Sequence, residues 1–311
     1  MRYVNQKGLD ISVFSLGTVQ LGMDYGLGEH TSKPTKEYAF SILDEAINKG
    51  VNMLDTANNY GDSERVIGEW LKTLDNDKRP MIVTKIGPFD HSSPEALKKD
   101  IYAQTEKCLQ TLDVDQIDIL MVHNYDDYEK NPVVVKEVFD DIKRSGKTRF
   151  TGISVYSRHD YFDVARSGFD SVQIPLNIFD WTQIENGGIK ALADAGMMIF
   201  TRSVFLQGLV FLAPKDIDPR MGFCVPYVEK FLEFCEEFGL YPSVLAMSFA
   251  LSVSGVASLV LGCQTPEQLD DNCEMIDSVR ILTNDEMQKI PEAFADIDPR
   301  VIDPRRWFNS F

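Results

Sequence analysis

What this 311-residue sequence has little of narrows its chemistry first. Basic residues are in deficit: 31 Lys and Arg stand against 48 Asp and Glu, and the net charge of −17 repels a phosphate backbone, so nucleic acid is not an expected partner. The cysteines are odd in number, Cys108, Cys224, Cys235, Cys263 and Cys273, and form no C-x-x-C. They have no zinc-like spacing to any histidine, which argues against a disulfide framework or structural zinc and for reduced, buried thiols. His30, His91, His123 and His159 are scattered and no H-E-x-x-H occurs, so no metal site is expected. No G-x-G-x-x-G follows the first apolar run, which removes the usual fingerprint of a doubly wound nucleotide fold. The first residues lack an apolar h-region between a basic start and a small-residue cleavage site, so the expected compartment is the cytosol. Phe238 to Pro266 carries no charge, but its serines and the Val253-Ser254-Gly255-Val256 stretch read as a buried helix, a turn and a buried strand, not a membrane span.

What is present is an ordinary globular composition, 44% hydrophobic and 25% charged, able to build a sizeable core. Short apolar runs suited to buried parallel strands recur: Phe14–Gly17, Val51–Leu54, Met81–Thr84, Ile117–Val122, Phe150–Ile153, Ser171–Ile174, Met197–Phe200 and Leu259–Leu261. Most of the gaps contain one amphipathic helical segment. Ser92 or Ser93 with Pro94 opens one, Pro132 opens another that ends at Gly146, and Tyr38, Ile42, Leu43, Ala46 and Ile47 mark a third before Gly50. The rhythm is that of an α/β protein of the (β/α)8 TIM-barrel class, expected as a single domain over residues 1–311. Arg2–Gln6 and Leu9–Val13 read as an N-terminal β-hairpin plugging the barrel's bottom. The tail from Asp298, with Arg300, Arg305, Arg306, Trp307 and Phe308, is expected to fold over the active-site face.

Chemistry in such a barrel stands at the C-terminal ends of the strands. Three consecutive ends here are unusual: Leu54-Asp55-Thr56-Ala57 leading to Tyr60, Thr84-Lys85, and Val122-His123. An ammonium beside a phenol stabilises the phenolate, so Lys85 is expected to lower the Tyr60 pKa and make Tyr60 a general acid, with Asp55 holding Lys85 charged and His123 orienting a carbonyl.

Gly50 to Gly61 reads G-x-x-x-x-D-T-A-x-x-Y-G and is followed by Ser63-Glu64 and Gly68. With Lys85, His123, Gly152-Ile153-Ser154, Gln173, Gln207-Gly208-Leu209 and Gly262 to Asn272, the chain resembles the aldo-keto reductase superfamily over nearly its whole length. A further, weaker likeness of Arg202–Leu209 is to bacterial members associated with surface polysaccharides. The resemblance implies a barrel that binds NAD(P)(H) and moves hydride to or from an aldehyde, ketone or sugar. Asp55, Tyr60, Lys85 and His123 are then the catalytic set. It implies cofactor contacts from Gly17, Thr18, Ser154, Gln173, Arg202, Ser203, Gln207, Gly208, Leu209, Gly262, Gln264, Gln268 and Asn272.

Three departures matter. Val155 stands where many relatives have Asn. Arg202 stands where a Tyr usually stacks on nicotinamide; either it serves the ring or an anionic substrate, or it pairs with a carboxylate. Gln264 and Gln268 replace cations that hold an NADP phosphate, which implies NAD(H) or relaxed specificity. Trp181 and the tail residues Arg305, Arg306 and Trp307 are candidates for closing the pocket. Two other readings are a nucleotide-binding redox sensor or regulatory subunit on the same fold, and a lyase with Lys85 as Schiff base.

Overall fold

The computed structural model describes residues 1–25 and 32–307. The chain opens with strands β1 (Tyr3–Gln6) and β2 (Leu9–Ser12), paired antiparallel as the expected hairpin. Lys7 and Gly8 between them both have positive φ, 50° and 77°, which matches the twist of a two-residue hairpin turn and suits Gly at the second position. Eight strands follow: β3 (Phe14–Gly17), β4 (Met53–Asp55), β5 (Met81–Ile86), β6 (Ile117–Val122), β7 (Thr148–Ser154), β8 (Ser171–Pro175), β9 (Met198–Arg202) and β10 (Val256–Gly262). They are all parallel and close into a barrel in sequence order, with β10 pairing β3. This is the (β/α)8 architecture the sequence rhythm predicts.

Two cores follow from the two faces of each strand. In β6, Leu120 and Val122 turn outward to pack with helix residues such as Leu97, Ile101, Val138 and Phe139. Ile119 and Met121 turn inward, where they join Met53, Val83, Met198, Phe200 and Ala257. Leu9 and Ile11 of the hairpin complete this inner cluster, so β2 closes the bottom of the barrel with apolar side chains.

The helices opened by Pro94 and Pro132 start as the sequence predicts, and the structure adds Thr35 as the cap of the one marked by Tyr38 to Ile47. Ser93 accepts from Ala96 N ahead of Pro94–Leu112, Thr35 caps Lys36–Asn48, and Pro132 opens a helix to Arg144. The link from β9 to β10 departs from one helix per gap. It holds Val225–Phe238 and Pro242–Ser252, and the second has eight consecutive buried residues, Ser243 to Ala250. A helix buried on every side has no polar stripe, which explains the charge-free run. Among the described residues no helix is long and apolar enough to cross a membrane, and all five cysteines are buried and free.

Candidate active site

The C-terminal ends of the strands open into a cavity of about 900 Å³. Its wall takes Asp55 from the end of β4, Tyr60 from the loop beyond it, His123 after β6, Ser154 at the end of β7, Gln173 from β8 and Arg202 from β9. Gly22 and Gly61 hold the Tyr60 loop close: Asp62 N donates to Gly22 O at 3.1 Å, and a side chain at Gly22 would collide with the Tyr60 carbonyl. Gly61 itself has φ +55°, a conformation that favours glycine.

Lys85 is fully buried and spends all three of its N–H donors. Its Nζ donates to Asp55 Oδ1 at 2.8 Å, Asp55 Oδ2 at 2.7 Å and Thr56 O at 2.9 Å. An amine so engaged and buried offers no free nitrogen to a carbonyl carbon, which argues against the lyase reading. It sits 5.1 Å from the Tyr60 ring centroid. The Tyr60 and His123 rings meet edge to face, with centroids 5.6 Å apart and planes at 80°.

The net effect on Tyr60 differs from the sequence expectation because of burial. Burial pushes its pKa up and outweighs the opposing pull of Lys85 and Arg202, while the negative charge on Asp55 adds to the rise. The net direction is above 10, not towards neutrality, so Tyr60 keeps its proton at neutral pH. His123 is driven the other way, to about 3, first by burial and then by the Lys85 and Arg202 cations. It is a neutral imidazole, and its Nδ1 is buried without a hydrogen-bond partner.

Of the sequence-predicted cofactor contacts, Gly17, Thr18, Ser154, Gln173, Arg202, Ser203, Gln207, Gly208, Gly262, Gln264, Gln268 and Asn272 all line this one cavity. Leu209 is set apart, since its side chain is fully buried in the outer core. Gln173 is tied to the Asp55–Lys85 pair, donating from Nε2 to Asp55 Oδ1 at 2.6 Å. Neither tryptophan that was a candidate for closing the pocket does so. Trp181 donates to Ile178 O at 2.9 Å and packs on Phe249 in the core, while Trp307 donates to Arg300 O at 2.9 Å and anchors the tail. Arg305 and Arg306 do line the cavity, so the tail lies at its mouth. Arg202 makes no ion pair with a carboxylate among the described residues; its Nη2 donates to Val155 O at 3.0 Å and its guanidinium stacks 4.7 Å from the Tyr156 ring. His30 and Phe308 lie outside the described residues, among which no group of three metal-ligating side chains occurs.

Several lining residues escaped sequence reasoning, Tyr156, Gln20, Arg158 and Asp271 among them. Tyr156 stands two positions beyond Ser154, a spacing that places it on the rim after β7. Gln20 has a buried, unpartnered Oε1 and packs where any side chain at Gly262 would collide with it; nothing in the local sequence marks it.

Residues 14–294 match the Aldo/keto reductase family. The chain belongs to that family. It is 24% identical to a putative voltage-gated potassium channel subunit beta of Schizosaccharomyces pombe, over 94% of this chain and 92% of that one. It is also 24% identical to L-galactose dehydrogenase of Arabidopsis thaliana, over 96% and 94% of the two chains. The solved glycerol dehydrogenase of Gluconobacter oxydans superposes with a TM-score of 0.74 at 22% identity, covering 97% of this chain and 98% of that chain, and so shares its fold. As an aldo/keto reductase the protein is an NAD(P)-dependent oxidoreductase with the cavity at the barrel's C-terminal face.

Proposed function

We propose that the protein reduces an aldehyde, ketone or sugar carbonyl, or oxidises the corresponding alcohol, in the cytosol, with Tyr60 as the general acid or base and with NAD(H) preferred or both nucleotides accepted. The observation that carries the reading is the placement of Tyr60: a phenol that keeps its proton, on the cavity wall, beside a buried ammonium and a neutral imidazole. Free, buried thiols accord with a reducing compartment.

The residues present fit the nucleotide. The cavity runs from Tyr60 to Gln264, Gln268 and Asn272, Gly17, Gly208 and Gly262 leave its wall open to close approach, and Gln20 Oε1 waits there for a donor. Ser154 and Gln173 would hold the carboxamide, and the Ser203–Gly208 loop the pyrophosphate. When bound, the nicotinamide supplies or accepts the hydride. The Tyr60 hydroxyl passes its proton to the carbonyl oxygen as negative charge develops there, and Lys85 stabilises the phenolate that remains. Asp55 holds Lys85 in place through both carboxylate oxygens. His123, neutral and on the cavity wall, orients the carbonyl oxygen by a hydrogen bond.

The adenosine end supports the NAD(H) preference. Gln264 Nε2 donates to Tyr25 O at 3.1 Å, its backbone N donates to Gln268 Oε1 at 2.8 Å, and Asp271 is the charged lining residue contributed by the helix Pro266–Ser278. Neutral amides and a carboxylate give a dianionic phosphate no charge-assisted contact.

A second reading, nucleotide binding without turnover in a regulatory subunit, draws on the likeness to the channel subunit. Fluorescence titration with NADH and NADPH, followed by turnover on a panel of aldehydes, ketones and keto sugars, separates the two. Binding with turnover supports the reductase, binding without turnover on any member supports the regulatory subunit, and NADPH binding more than tenfold tighter than NADH overturns the cofactor preference.

A further inference from the structure

The charged lining of the cavity inverts the composition of the chain. Acidic residues outnumber basic ones 48 to 31 overall, yet the wall carries four arginines, Arg158, Arg202, Arg305 and Arg306, against Asp55, Asp271 and Asp303. Asp55 is engaged by Lys85 at 2.7 Å and Asp303 by Arg305 at 2.7 Å, while Arg158 pairs with Asp126. Asp271 stands on the helix of the adenosine end.

Arg202 differs from the paired arginines. Its hydrogen bonds go to the Val155 carbonyl at 3.0 Å and the Ser203 hydroxyl at 3.4 Å, and no carboxylate among the described residues is within ion-pair distance. The Tyr156 ring fixes it: the Arg202, Arg305 and Arg158 guanidinium carbons lie 4.7, 4.1 and 5.3 Å from that ring's centroid. One partly buried aromatic thus gathers three cations on a single wall. The positive charge of Arg202 is felt at both Tyr60 and His123, so that wall belongs to the reacting end of the cavity.

A guanidinium without a carboxylate, half removed from water, is costly unless something anionic meets it. Its planar fork matches the paired oxygens of a carboxylate or phosphate. Building on the reductase reading, we propose that the substrate is a carbonyl compound carrying an oxyanion, which Arg202 binds while the carbonyl oxygen faces Tyr60.

The test compares kcat/KM for charged and uncharged members of matched pairs. Para-carboxybenzaldehyde is set against para-nitrobenzaldehyde, and glyceraldehyde phosphate against glyceraldehyde, with the parent protein, Arg202→Gln and Arg202→Lys. The ratio within a pair cancels the folded fraction of each preparation. The parent is expected to favour the charged member of at least one pair by about tenfold to a hundredfold, the range of one or two charge-assisted hydrogen bonds. Arg202→Gln brings that ratio near unity, and Arg202→Lys keeps part of it because the charge stays while the fork is lost. The pair that shows the effect separates carboxylate from phosphate. A ratio near unity in the parent for both pairs, or a ratio unchanged in Arg202→Gln, overturns the inference while leaving the reductase reading intact. Failure of the parent to turn over any of the four aldehydes overturns this inference, and failure on the whole panel of aldehydes, ketones and keto sugars overturns the reductase reading as well.

Discussion

The two ends of this barrel are built from the same strands and do opposite things. At the bottom, Leu9 and Ile11 of the hairpin meet Met53, Ile119 and Met198 in an apolar cluster. At the top the inward positions are Asp55, Lys85 and Gln173, a connected polar set with the hydrogen bonds each member needs. Apolar packing at one end supplies stability through burial, and a charged pair at the other contributes little net stability because its desolvation offsets its attraction. The lesson is that the top is kept for chemistry, and its residues are separable from those that hold the fold.

Substitutions can break that division. Lys85→Met should have the largest effect, because it removes the cation beside Tyr60 and leaves Asp55 buried without its partner. Turnover should fall by at least about a hundredfold, and unfolding stability by about 3–5 kcal/mol in denaturant titration. Adding Asp55→Leu should restore the stability and not the turnover; recovery of both would place the pair in the structural half. Ile11→Ala should cost about 2–5 kcal/mol from a cavity in the inner cluster, with kcat per folded molecule unchanged. A fall in kcat at constant folded fraction would mean the two ends are coupled.

Smaller effects sharpen the account of the top itself. The double substitution Gln264→Arg with Gln268→Lys should shift affinity towards NADPH over NADH by about tenfold or more in fluorescence titrations, the yield of one charge-assisted contact. An unmoved ratio would place the phosphate elsewhere. His123 adds a dependence on pH. Its pKa is depressed in the folded chain, to about 3, so below its ordinary value the unfolded chain binds the extra proton. Stability should therefore be lost as pH falls from about 6.5 towards 3, with a limiting slope of about 1.4 kcal/mol per pH unit from this group. His123→Gln should flatten the stability curve in that window, and an unchanged curve would show that the imidazole is not held neutral.

Much of this was legible before the structure, for physical reasons that also explain what was not. Parallel strands buried on both faces announce themselves as short apolar runs, so Ile117–Val122 and Ser171–Ile174 stand out, and Ser93-Pro94 and Pro132 mark helix starts. Strand-end placement brought Asp55, Lys85 and His123 into one neighbourhood. The direction of the Tyr60 pKa was not legible, because it is set by how much water the fold removes against two cations and one anion, a balance no residue list contains. Nor was the fate of Trp181 and Trp307: an aromatic near a rim turns inward or outward according to the partner its indole N–H finds, here Ile178 O and Arg300 O. The arginines around Tyr156 come from β9, the β7 loop and the tail, and only the closed barrel brings them together.

The most direct test of the central claim is single-turnover reduction of an aldehyde by the Tyr60→Phe variant loaded with saturating NADH, compared with the parent protein. The account predicts nucleotide affinity within about threefold of the parent, since the phenol touches the carbonyl and not the nucleotide's binding groups, together with a loss of about 10² to 10⁴ in the hydride-transfer rate from removing one general acid. Transfer at the parent's rate in Tyr60→Phe would contradict it and move the proton donor to another group on the wall.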